Sequence, residues 1–384
     1  MDAYGRRVST SEGRVTPGGA STALALALAA AAVLIACGPP CAERPGDVCL
    51  VIGTGELGFN HDGLTPEETD LYLPSVARRG PDGRLYVMDF NNQRLRVIGD
   101  DGLVETVIGD GFHAIAATGV PILETPLENP IDFGFLGDGR IVFVSYHDPR
   151  VLAVSPEGTL TILAGAADGV VGVTGDEGDS GPATGALFLQ LDGIAVGPGD
   201  VLYVSDSLAN RVRKIEGGII DTIAGTGEAT FAGDGGPARA GGLHWPTALE
   251  LTPTGELLIA DTFNHAIRRL ELDGTLTTIA GVGVEGYSGD GALATAAALR
   301  EPYGIALGDE GAIYVADRGN FRIRRIDGDG IIDTIAGTGV EGPSGDDGPA
   351  LSAAFGTTAR LAIDGDGLLV ADQGGSKIRR INLR

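Results

Sequence analysis

A triplet of two apolar residues and a glycine recurs six times along the chain, and its spacing constrains the fold more than any other feature. Its glycines are Gly53, Gly109, Gly165, Gly225, Gly281 and Gly337. Consecutive glycines are 56 residues apart, except for Gly165 and Gly225, which are 60 residues apart. Regular periods of this length are typical of proteins that repeat one supersecondary unit.

Each repeat contains four short segments with the composition of β-strands. In the fifth repeat they are residues 303–307, 312–316, 321–326 and 331–336, rich in Ile, Val and Leu and separated by Gly, Asp and Asn. No segment has the 3.6-residue period of a long amphipathic helix. The 63 glycines fit many tight turns. Four antiparallel strands per repeat predict an all-β fold, a six-bladed β-propeller with four-stranded blades.

The two ends of the repeat region are incomplete in complementary ways. The last repeat stops after its third strand, residues 377–382, and the first is preceded by a spare strand at residues 48–52. We expect the N-terminal strand to complete the last blade, which closes the ring and removes two exposed sheet edges. Residues 48–384 are therefore predicted to be a single domain.

The N-terminus has the pattern of an export signal. Arg6, Arg7 and Arg14 precede a run of small apolar residues, 23–36, which is too short to span a bilayer comfortably. The run ends Leu34-Ile35-Ala36-Cys37-Gly38, which resembles a bacterial lipobox. This resemblance implies a signal peptide at residues 1–36, lipidation of Cys37 and a tether at 37–47. An ordinary secretory signal with an incidental cysteine is the alternative.

The same resemblance predicts the location of the mature protein. It implies an exported bacterial lipoprotein, in the periplasm or on the cell surface, attached to the membrane only through its lipid. Gly38 follows the lipid-bearing cysteine where some Gram-negative proteins retained at the inner membrane have Asp, which favours the outer membrane. If Cys37 carries lipid, Cys41 and Cys49 remain as an even pair. An exported protein permits a disulfide between them, with free thiols as the alternative.

The repeats resemble NHL repeats. The residues that carry the resemblance are Pro302-Tyr303-Gly304-Ile305-Ala306-Leu307, then Ile313-Tyr314-Val315-Ala316-Asp317, then Asn320-Phe321-Arg322-Ile323. The Gly-Thr-Gly and Gly-Asp-Gly-Gly-Pro-Ala segments between repeats are similar to the teneurin NHL region. The resemblance runs from about Val48 to the C-terminus. It implies a six-bladed propeller, but it implies no single activity because the fold does not fix function.

An aspartate closes the second strand of five repeats, and its repetition indicates a structural role. These residues are Asp89, Asp206, Asp261, Asp317 and Asp372. We expect each to accept hydrogen bonds from turn amides and to orient a basic residue five positions on, which is Arg94, Arg211, Arg322 or Lys377 in four of them. The second repeat departs from the pattern with Tyr146, His147 and Asp148.

The long loops between an outer strand and the next inner strand carry clusters of carboxylates. The densest cluster is Asp176, Glu177 and Asp179. Hard cations such as Ca²⁺ need several oxygen ligands, so this loop is a candidate site for Ca²⁺ or another divalent cation. The alternative is that Asp and Gly here only form turns.

Residues just before each inner strand are expected to surround the mouth of the central channel. The large polar and aromatic ones are Glu128, Asn129, Gln190, Asp192, His244, Trp245, Thr247, Arg300, Glu301 and Tyr303. A concave mouth of this composition predicts a ligand site, and solvated rim residues are the alternative. The function favoured is a binding or interaction scaffold for a protein, peptide or glycan, acting as a monomer.

An enzyme is the alternative function. Related propellers include streptogramin lyases, peptidyl-hydroxyglycine amidating lyases and gluconolactonase-like hydrolases, which hold a divalent metal at the channel. Here a site would combine Glu128, Asp192 and Glu301, with His244 as a base and Arg300 as an anion clamp. Of the five histidines only His244 falls at the mouth, so a three-histidine zinc centre is not expected.

The charge of the chain argues against nucleic acid as a partner. The formal net charge is −25, and such a surface repels a phosphate backbone. RNA binding, known for some animal NHL proteins, requires a basic face.

Overall fold

The computed structural model describes residues 44–167 and 169–384, which form a ring of six antiparallel sheets. The predicted signal peptide, Cys37 and Cys41 lie outside the described residues. Each sheet starts with an inner strand beside the axis and adds strands outward. The strands of blades 1 to 3 are Val76–Arg79, Leu85–Asp89, Arg94–Ile98 and Val104–Ile108; Pro130–Phe135, Ile141–Ser145, Val151–Val154 and Leu160–Ala164; and Leu191–Gly197, Val201–Asp206, Arg211–Glu216 and Ile219–Ala224. Those of blades 4 to 6 are Pro246–Leu251, Leu257–Asp261, Ala266–Leu270 and Thr275–Ala280; Pro302–Leu307, Ile313–Asp317, Arg322–Ile326 and Ile331–Ala336; and Thr358–Asp364, Gly367–Asp372, Lys377–Asn382 and Asp47–Ile52.

The predicted ring closure is confirmed. The N-terminal strand Asp47–Ile52 pairs antiparallel with Lys377–Asn382 and becomes the outer strand of blade 6. Val48 lies opposite Ile381, and Leu50 lies opposite Arg379. The side chains of Val48 and Ile52 are fully buried, so the closure is packed as well as hydrogen-bonded.

Four blades carry a short fifth strand that the sequence did not predict. These two-residue strands pair with the outer strands of blades 3, 4, 5 and 6 and are Gly181–Pro182, Gly236–Pro237, Ala292–Leu293 and Gly348–Pro349. Each belongs to the long loop that arrives from the preceding blade. The loop therefore covers the edge of the next outer strand, and in three blades a proline ends the pairing there.

The hydrophobic core lies between the blades. Six clusters of buried residues each join two neighbouring sheets, for example Val76 and Met88 of blade 1 with Phe133 and Phe143 of blade 2. A sheet buried on both faces explains why its strands are nearly continuous in Val, Ile, Leu and Ala.

The glycine of the repeated triplet has a steric role. Gly109 has a φ of +98°, and a Cβ there would lie 2.2 Å from the carbonyl oxygen of Gln93. A side chain would thus clash with the turn that joins the second and third strands of the same blade. The same close approach recurs at Gly225, 2.2 Å from the oxygen of Asn210.

Helical structure is limited to single turns, as the sequence predicted. The described residues contain eleven three-residue 3₁₀ turns: Pro66–Glu68, Phe90–Asn92, Ala183–Gly185, Pro198–Asp200, Ala238–Ala240, Thr262–Asn264, Ala294–Ala296, Asp309–Gly311, Arg318–Asn320, Ala350–Ser352 and Gln373–Gly375. Within the described part of the chain there is no helix with the length and apolarity needed to cross a membrane.

Candidate functional site

The repeated aspartates organise the turns that surround the channel mouth. Each is fully buried and accepts a hydrogen bond from the backbone amide of the segment entering its inner strand. The Asp89 carboxylate accepts from Tyr72 at 2.8 Å, and that of Asp261 accepts from His244 at 2.7 Å. Burial raises the pKa of both carboxyls to about 6, against the hydrogen bonds and the nearby arginines. The expected structural role agrees with these contacts.

For four of the five aspartates, the basic partner lies two residues beyond the one expected. Fully buried arginines seven positions on contact the aspartate in four blades, for example Arg268 with Asp261 at 3.2 Å. Arg268 also reaches the loop residue Asp234 at 3.5 Å and stacks on Phe231. The residue five positions on instead lies nearer the surface, where Arg94 donates to the carbonyl of Asp110 at 2.7 Å.

Blade 2 replaces this arrangement. Asp148 pairs with Arg150 at 2.6 Å, and both also bind the backbone of Ala116 in the incoming loop. Tyr146 and His147 occupy the turn that blades 1, 4, 5 and 6 fill with a 3₁₀ helix. The departure noted in the sequence is therefore a different, fully paired structure.

A cavity of about 340 Å³ opens at the channel mouth. Side chains from five blades line it: Leu73, Phe90, Ile131, Tyr146, Trp245, Thr262, Phe263, Glu301, Tyr303, Arg318 and Gln373. Phe90 and Tyr146 form an edge-to-face pair, and Trp245 packs against Phe263 with centroids 5.7 Å apart. The mouth thus combines aromatic surfaces with one carboxylate, one guanidinium and one amide.

The floor of this cavity is Tyr303. The guanidinium of Arg318 lies 4.6 Å from the ring centroid, and that of Arg360 lies 5.4 Å away. The Tyr303 hydroxyl donates to the carboxylate of Asp192 at 3.0 Å. Burial, followed by the charge of Asp192, raises the pKa of Tyr303, so the phenol stays protonated and fixed.

A buried ion network lies beneath Tyr303. Arg360 contacts Asp132 and Asp192, each at 2.8 Å, and Arg78 contacts the other oxygen of Asp132 at 2.8 Å. Burial raises the pKa of Asp192, and the attraction of Arg360 opposes that shift. The network joins the inner strands of blades 1, 2, 3 and 6 and so fixes their relative positions beneath the mouth.

Glu250 faces this network from blade 4. Burial raises its pKa to about 7; attraction to Arg78 opposes the shift, and repulsion from Asp132 adds to it. The native pKa is above the ordinary value of 4.5, so Glu250 favours folding below about pH 4.5 and this contribution is lost as pH rises through 7.

We therefore expect Glu250→Gln to flatten the pH dependence of stability. Between pH 5 and 8 the wild type should lose about 1–3 kcal/mol more free energy of unfolding than the variant, at ~1.4 kcal/mol per pK unit. Denaturant unfolding at several pH values measures this. Glu256→Gln is the matched control. Hydrogen bonds from Thr252 and Thr254 lower the pKa of Glu256 to about 2, so this variant should show the same pH dependence of stability as the wild type between pH 5 and 8. Equal slopes for wild type and Glu250→Gln would contradict the assignment.

The residues predicted at the mouth divide into three groups. Trp245, Glu301 and Tyr303 line the cavity. Asp192 and Thr247 are fully buried below it, where the Thr247 hydroxyl donates to the carbonyl of Tyr303 at 2.9 Å. The others line no part of the cavity: Arg300 is exposed, Glu128, Gln190 and His244 are half-buried, and Asn129 is buried.

The predicted carboxylate–histidine enzyme site is not assembled. Asp192 is bound by Arg360 and Tyr303, and Arg300 pairs outward with Glu285 at 3.2 Å. The His244 ring packs against Phe263. In the described residues the one metal-compatible group is a different one, in which Glu128 meets His113 and His147.

Most of the mouth residues that the sequence did not predict share one repeat position, the exceptions being Leu73 and Ile131. The others follow directly, or by one residue, the end of a second strand: Phe90, Tyr146, Thr262, Phe263, Arg318 and Gln373. The closing aspartate marks this position in most repeats, so the sequence contained a signal for them.

The carboxylates predicted to bind calcium have protein partners. Glu177 accepts backbone hydrogen bonds from Val173, Thr174 and Gly175; these lower its pKa to about 2, although burial opposes the shift. Asp176 pairs with Arg211 at 3.3 Å, and Asp179 with the buried Arg213 at 2.8 Å. These three side chains do not form a metal-compatible group, so a calcium ion would have to displace arginines.

Cys49 is disulfide-bonded, and both other cysteines lie outside the described residues. A larger groove of about 870 Å³ runs between blades 3 and 4, lined by residues such as Tyr203 and Leu272. Most of its lining comes from the second, third and outer strands and the turns between them, and it shares no residue with the cavity at the channel mouth.

Comparisons with known proteins identify the repeat. The model of the teneurin NHL domain matches residues 283–344. Teneurin-m of Drosophila melanogaster is 29% identical over 348 residues, which cover 81% of this chain and 12% of that protein's length. The chain is a six-bladed propeller whose repeats are similar to teneurin NHL repeats. It spans only about an eighth of the teneurin it matches, so the NHL likeness concerns the propeller alone.

Solved structures share the propeller fold at low sequence identity. An auxiliary nutrient binding protein from Bacteroides thetaiotaomicron superposes with a TM-score of 0.61 at 17% identity, covering 87% of this chain and 75% of that chain. A gluconolactonase from Xanthomonas campestris gives a TM-score of 0.53 at 13% identity, covering 82% and 87%. At these identities the likeness concerns the fold, which serves both binding proteins and enzymes.

Proposed function

We propose that this propeller is a binding module that recognises its partner through the channel-mouth face. The observation that carries the proposal is the cavity in which Trp245, Phe263, Tyr146 and Phe90 surround the charged groups of Arg318 and Glu301. Aromatic walls with a few convergent polar groups are the usual composition of a ligand pocket. The buried ion network beneath Tyr303 keeps these walls in a fixed arrangement, which favours binding because little order is lost when a ligand enters.

Exposed apolar side chains surround the mouth and support a larger contact. They come from the start of the long loops, next to the segments that enter the inner strands: Leu57, Phe112, Val284 and Val340. Apolar residues repeated on one face of a soluble protein are typical of an interaction surface. The partner would place one ring-sized group in the cavity and rest its remaining surface on the loops.

The partner chemistry follows from the lining. A cavity of about 340 Å³ accepts a single ring or a short side chain. Aromatic faces stack on sugar rings and apolar side chains, and Arg318, Glu301 and Gln373 supply hydrogen bonds at the edges. Peptides and glycans meet these requirements. The acidic surface disfavours nucleic acid.

The single tryptophan of the chain gives a direct test. Trp245 lines the mouth, so a ligand that enters should change its fluorescence. We expect members of a panel of short peptides and oligosaccharides to shift this emission in a saturable way and to raise the melting temperature. Phe263→Ala should weaken binding about tenfold or more, since a buried aromatic contact contributes on the order of 1–2 kcal/mol.

Leu272→Ala is the matched control because Leu272 is exposed in the groove between blades 3 and 4. It should leave affinity unchanged. Binding that survives Phe263→Ala but is lost in Leu272→Ala would move the site to that groove and refute the channel-mouth proposal.

The enzyme alternative is supported only by the fold that this chain shares with known enzymes. Its predicted residues do not converge, so we propose no catalytic step from them. Catalytic hydrolysis of a lactone by the purified chain, with many turnovers per chain, would contradict the binding-module proposal.

We also propose that the propeller acts outside the cytoplasm on a lipid anchor at Cys37. Support comes from the apolar run 23–36 and the Leu34-Ile35-Ala36-Cys37 pattern. Detergent-phase partitioning of the cellular protein tests this: the wild type should enter the detergent phase, and Cys37→Ser should not. Equal partitioning of the two would refute the anchor.

A further inference from the structure

We propose that His113, Glu128 and His147 form a binding site for a divalent transition-metal ion, of which Zn²⁺ is the best match, on the rim of blade 2. The site goes beyond the proposed binding function and does not depend on it. Two imidazoles and a carboxylate are a ligand set that zinc accepts.

The three side chains already meet. His113 Nε2 lies 2.7 Å from Glu128 Oε1, and His147 Nδ1 lies 3.5 Å from the same oxygen. All three ligand atoms fall within 4.8 Å of one another. Ligand atoms around a tetrahedral zinc ion are about 3.4 Å apart, given zinc–ligand distances of ~2.0–2.1 Å. Small side-chain rotations therefore suffice to bind the ion.

The backbone beneath the site is held by hydrogen bonds. His113 forms a parallel bridge with Leu127, the residue before Glu128. Tyr146, the residue before His147, donates its amide hydrogen to the carbonyl of Asn129 at 2.9 Å. The backbone amide of Asn129 donates to Gln93 Oε1 at 2.7 Å, and Asn129 Oδ1 lies 3.2 Å from His147 Nδ1. The three ligands thus project from positions that are fixed relative to one another.

A salt bridge in blade 5 shows what an ordinary pair at these positions looks like. Gly286 bonds to Leu299 as Ala114 bonds to Leu127, so Glu285 and Arg300 correspond to His113 and Glu128. They form a simple ion pair at 3.2 Å. Blade 2 differs because both partners are metal-ligating types and because its altered turn adds His147 as a third.

The exposure of the site fits a metal that exchanges with solvent. The side chains of His113 and His147 are each 55% exposed, and that of Glu128 is 17% exposed. Three protein ligands leave a fourth position of a tetrahedral ion open to water or to a carboxylate or carbonyl of a partner. The ring of His147 packs on Tyr146, a wall residue of the mouth, so the ion would lie beside the cavity.

Zinc titration of the full chain, purified without a histidine tag, tests the site. Isothermal titration calorimetry with Zn²⁺ alone should show one ion per chain. His113→Ala and His147→Ala should each weaken binding by more than the roughly 10–100-fold caused by losing a group that only supports a ligand. Glu128→Gln should also weaken it. With Co²⁺ in place of zinc, the visible absorption should show the bands of histidine-bound cobalt and should lose them in the same variants.

His61→Asn is the matched control, since His61 is an exposed histidine in the corresponding loop before blade 1. It should bind Zn²⁺ as the wild type does. Melting curves without metal should be unchanged in the His113 and His147 variants because both side chains are exposed, which separates loss of the site from loss of the fold. No stoichiometric zinc uptake, or full uptake by the His113→Ala/His147→Ala double variant, would overturn the proposal.

Discussion

A chain that begins at Gly53, and so lacks the strand Asp47–Ile52, is expected to lose its single cooperative melting transition and to self-associate. The deletion removes the outer strand of blade 6 and exposes the paired groups of Lys377–Asn382 as a free sheet edge. It also removes Val48 and Ile52 from the clusters that join blade 6 to blades 5 and 1. Thermal unfolding followed by circular dichroism, together with light scattering, measures both effects.

A chain beginning at Arg44 is the control. It retains the strand but, like the shorter chain, lacks Cys37 and Cys41, so a difference between the two reports the strand and not the disulfide of Cys49. If both chains were monomeric and melted at the same temperature, the closing strand would be dispensable and the ring would be held together by other contacts.

Arg360→Met is expected to lower the free energy of unfolding by about 3–5 kcal/mol, the usual effect of removing one partner from a buried ion pair. Arg360 is the group that neutralises both Asp132 and Asp192 in the channel. Methionine has a similar volume, so the loss comes from two buried carboxylates left without that partner. Chemical denaturation at neutral pH measures it, and Trp245 fluorescence reports whether the mouth above Tyr303 changes.

Two further variants make this result interpretable. Arg360→Met combined with Asp132→Asn and Asp192→Asn should recover much of the loss because the unpaired charges are gone. Arg384→Met breaks an ion pair with Asp309 that is exposed on both sides and should cost at most ~1 kcal/mol. A triple variant less stable than the single variant would show that the carboxylates contribute through other bonds.

The architecture could be predicted because it depends on local patterns that repeat. Strand composition gave the fifth blade within about one residue at each boundary, and the spare strand at Val48 needed a partner that only Lys377–Asn382 offered. The short fifth strands could not be predicted in this way. A two-residue pairing such as Gly236–Pro237 carries no alternation and depends on where the loop passes the next blade.

The arginine partners of the repeated aspartates show a second reason why the sequence could not predict every contact. Arg94 and Arg96 lie on the same side of their strand, since side chains alternate with a period of two. The sequence makes both equally suited to pair with Asp89. Register places Arg94 opposite Asp89 near the rim, while Arg96 points into the blade and is fully buried. Which arginine is the buried partner depends on how far each lies from the protein surface, and this is known only once the blades are packed together.

The candidate site was predicted by region and not by residue. Trp245, Glu301 and Tyr303 line the mouth as expected. Asp192 and Thr247 precede or begin inner strands in the same way, yet their side chains point below the mouth. The grouping of His113 with His147 joins a loop to a turn 34 residues later in the chain. Only the paths of both segments over blade 2 bring them together.

The altered turn of blade 2 has a consequence for how a partner sits on the protein. Repeated blades confer an approximate six-fold axis, and a rim built only from such repeats would offer several equivalent seats. Tyr146, His147 and the Asp148–Arg150 pair make one sector unlike the rest. If the propeller binds a molecule at its mouth as proposed, that molecule would have one preferred rotation about the axis, because blade 2 offers contacts that the other blades do not.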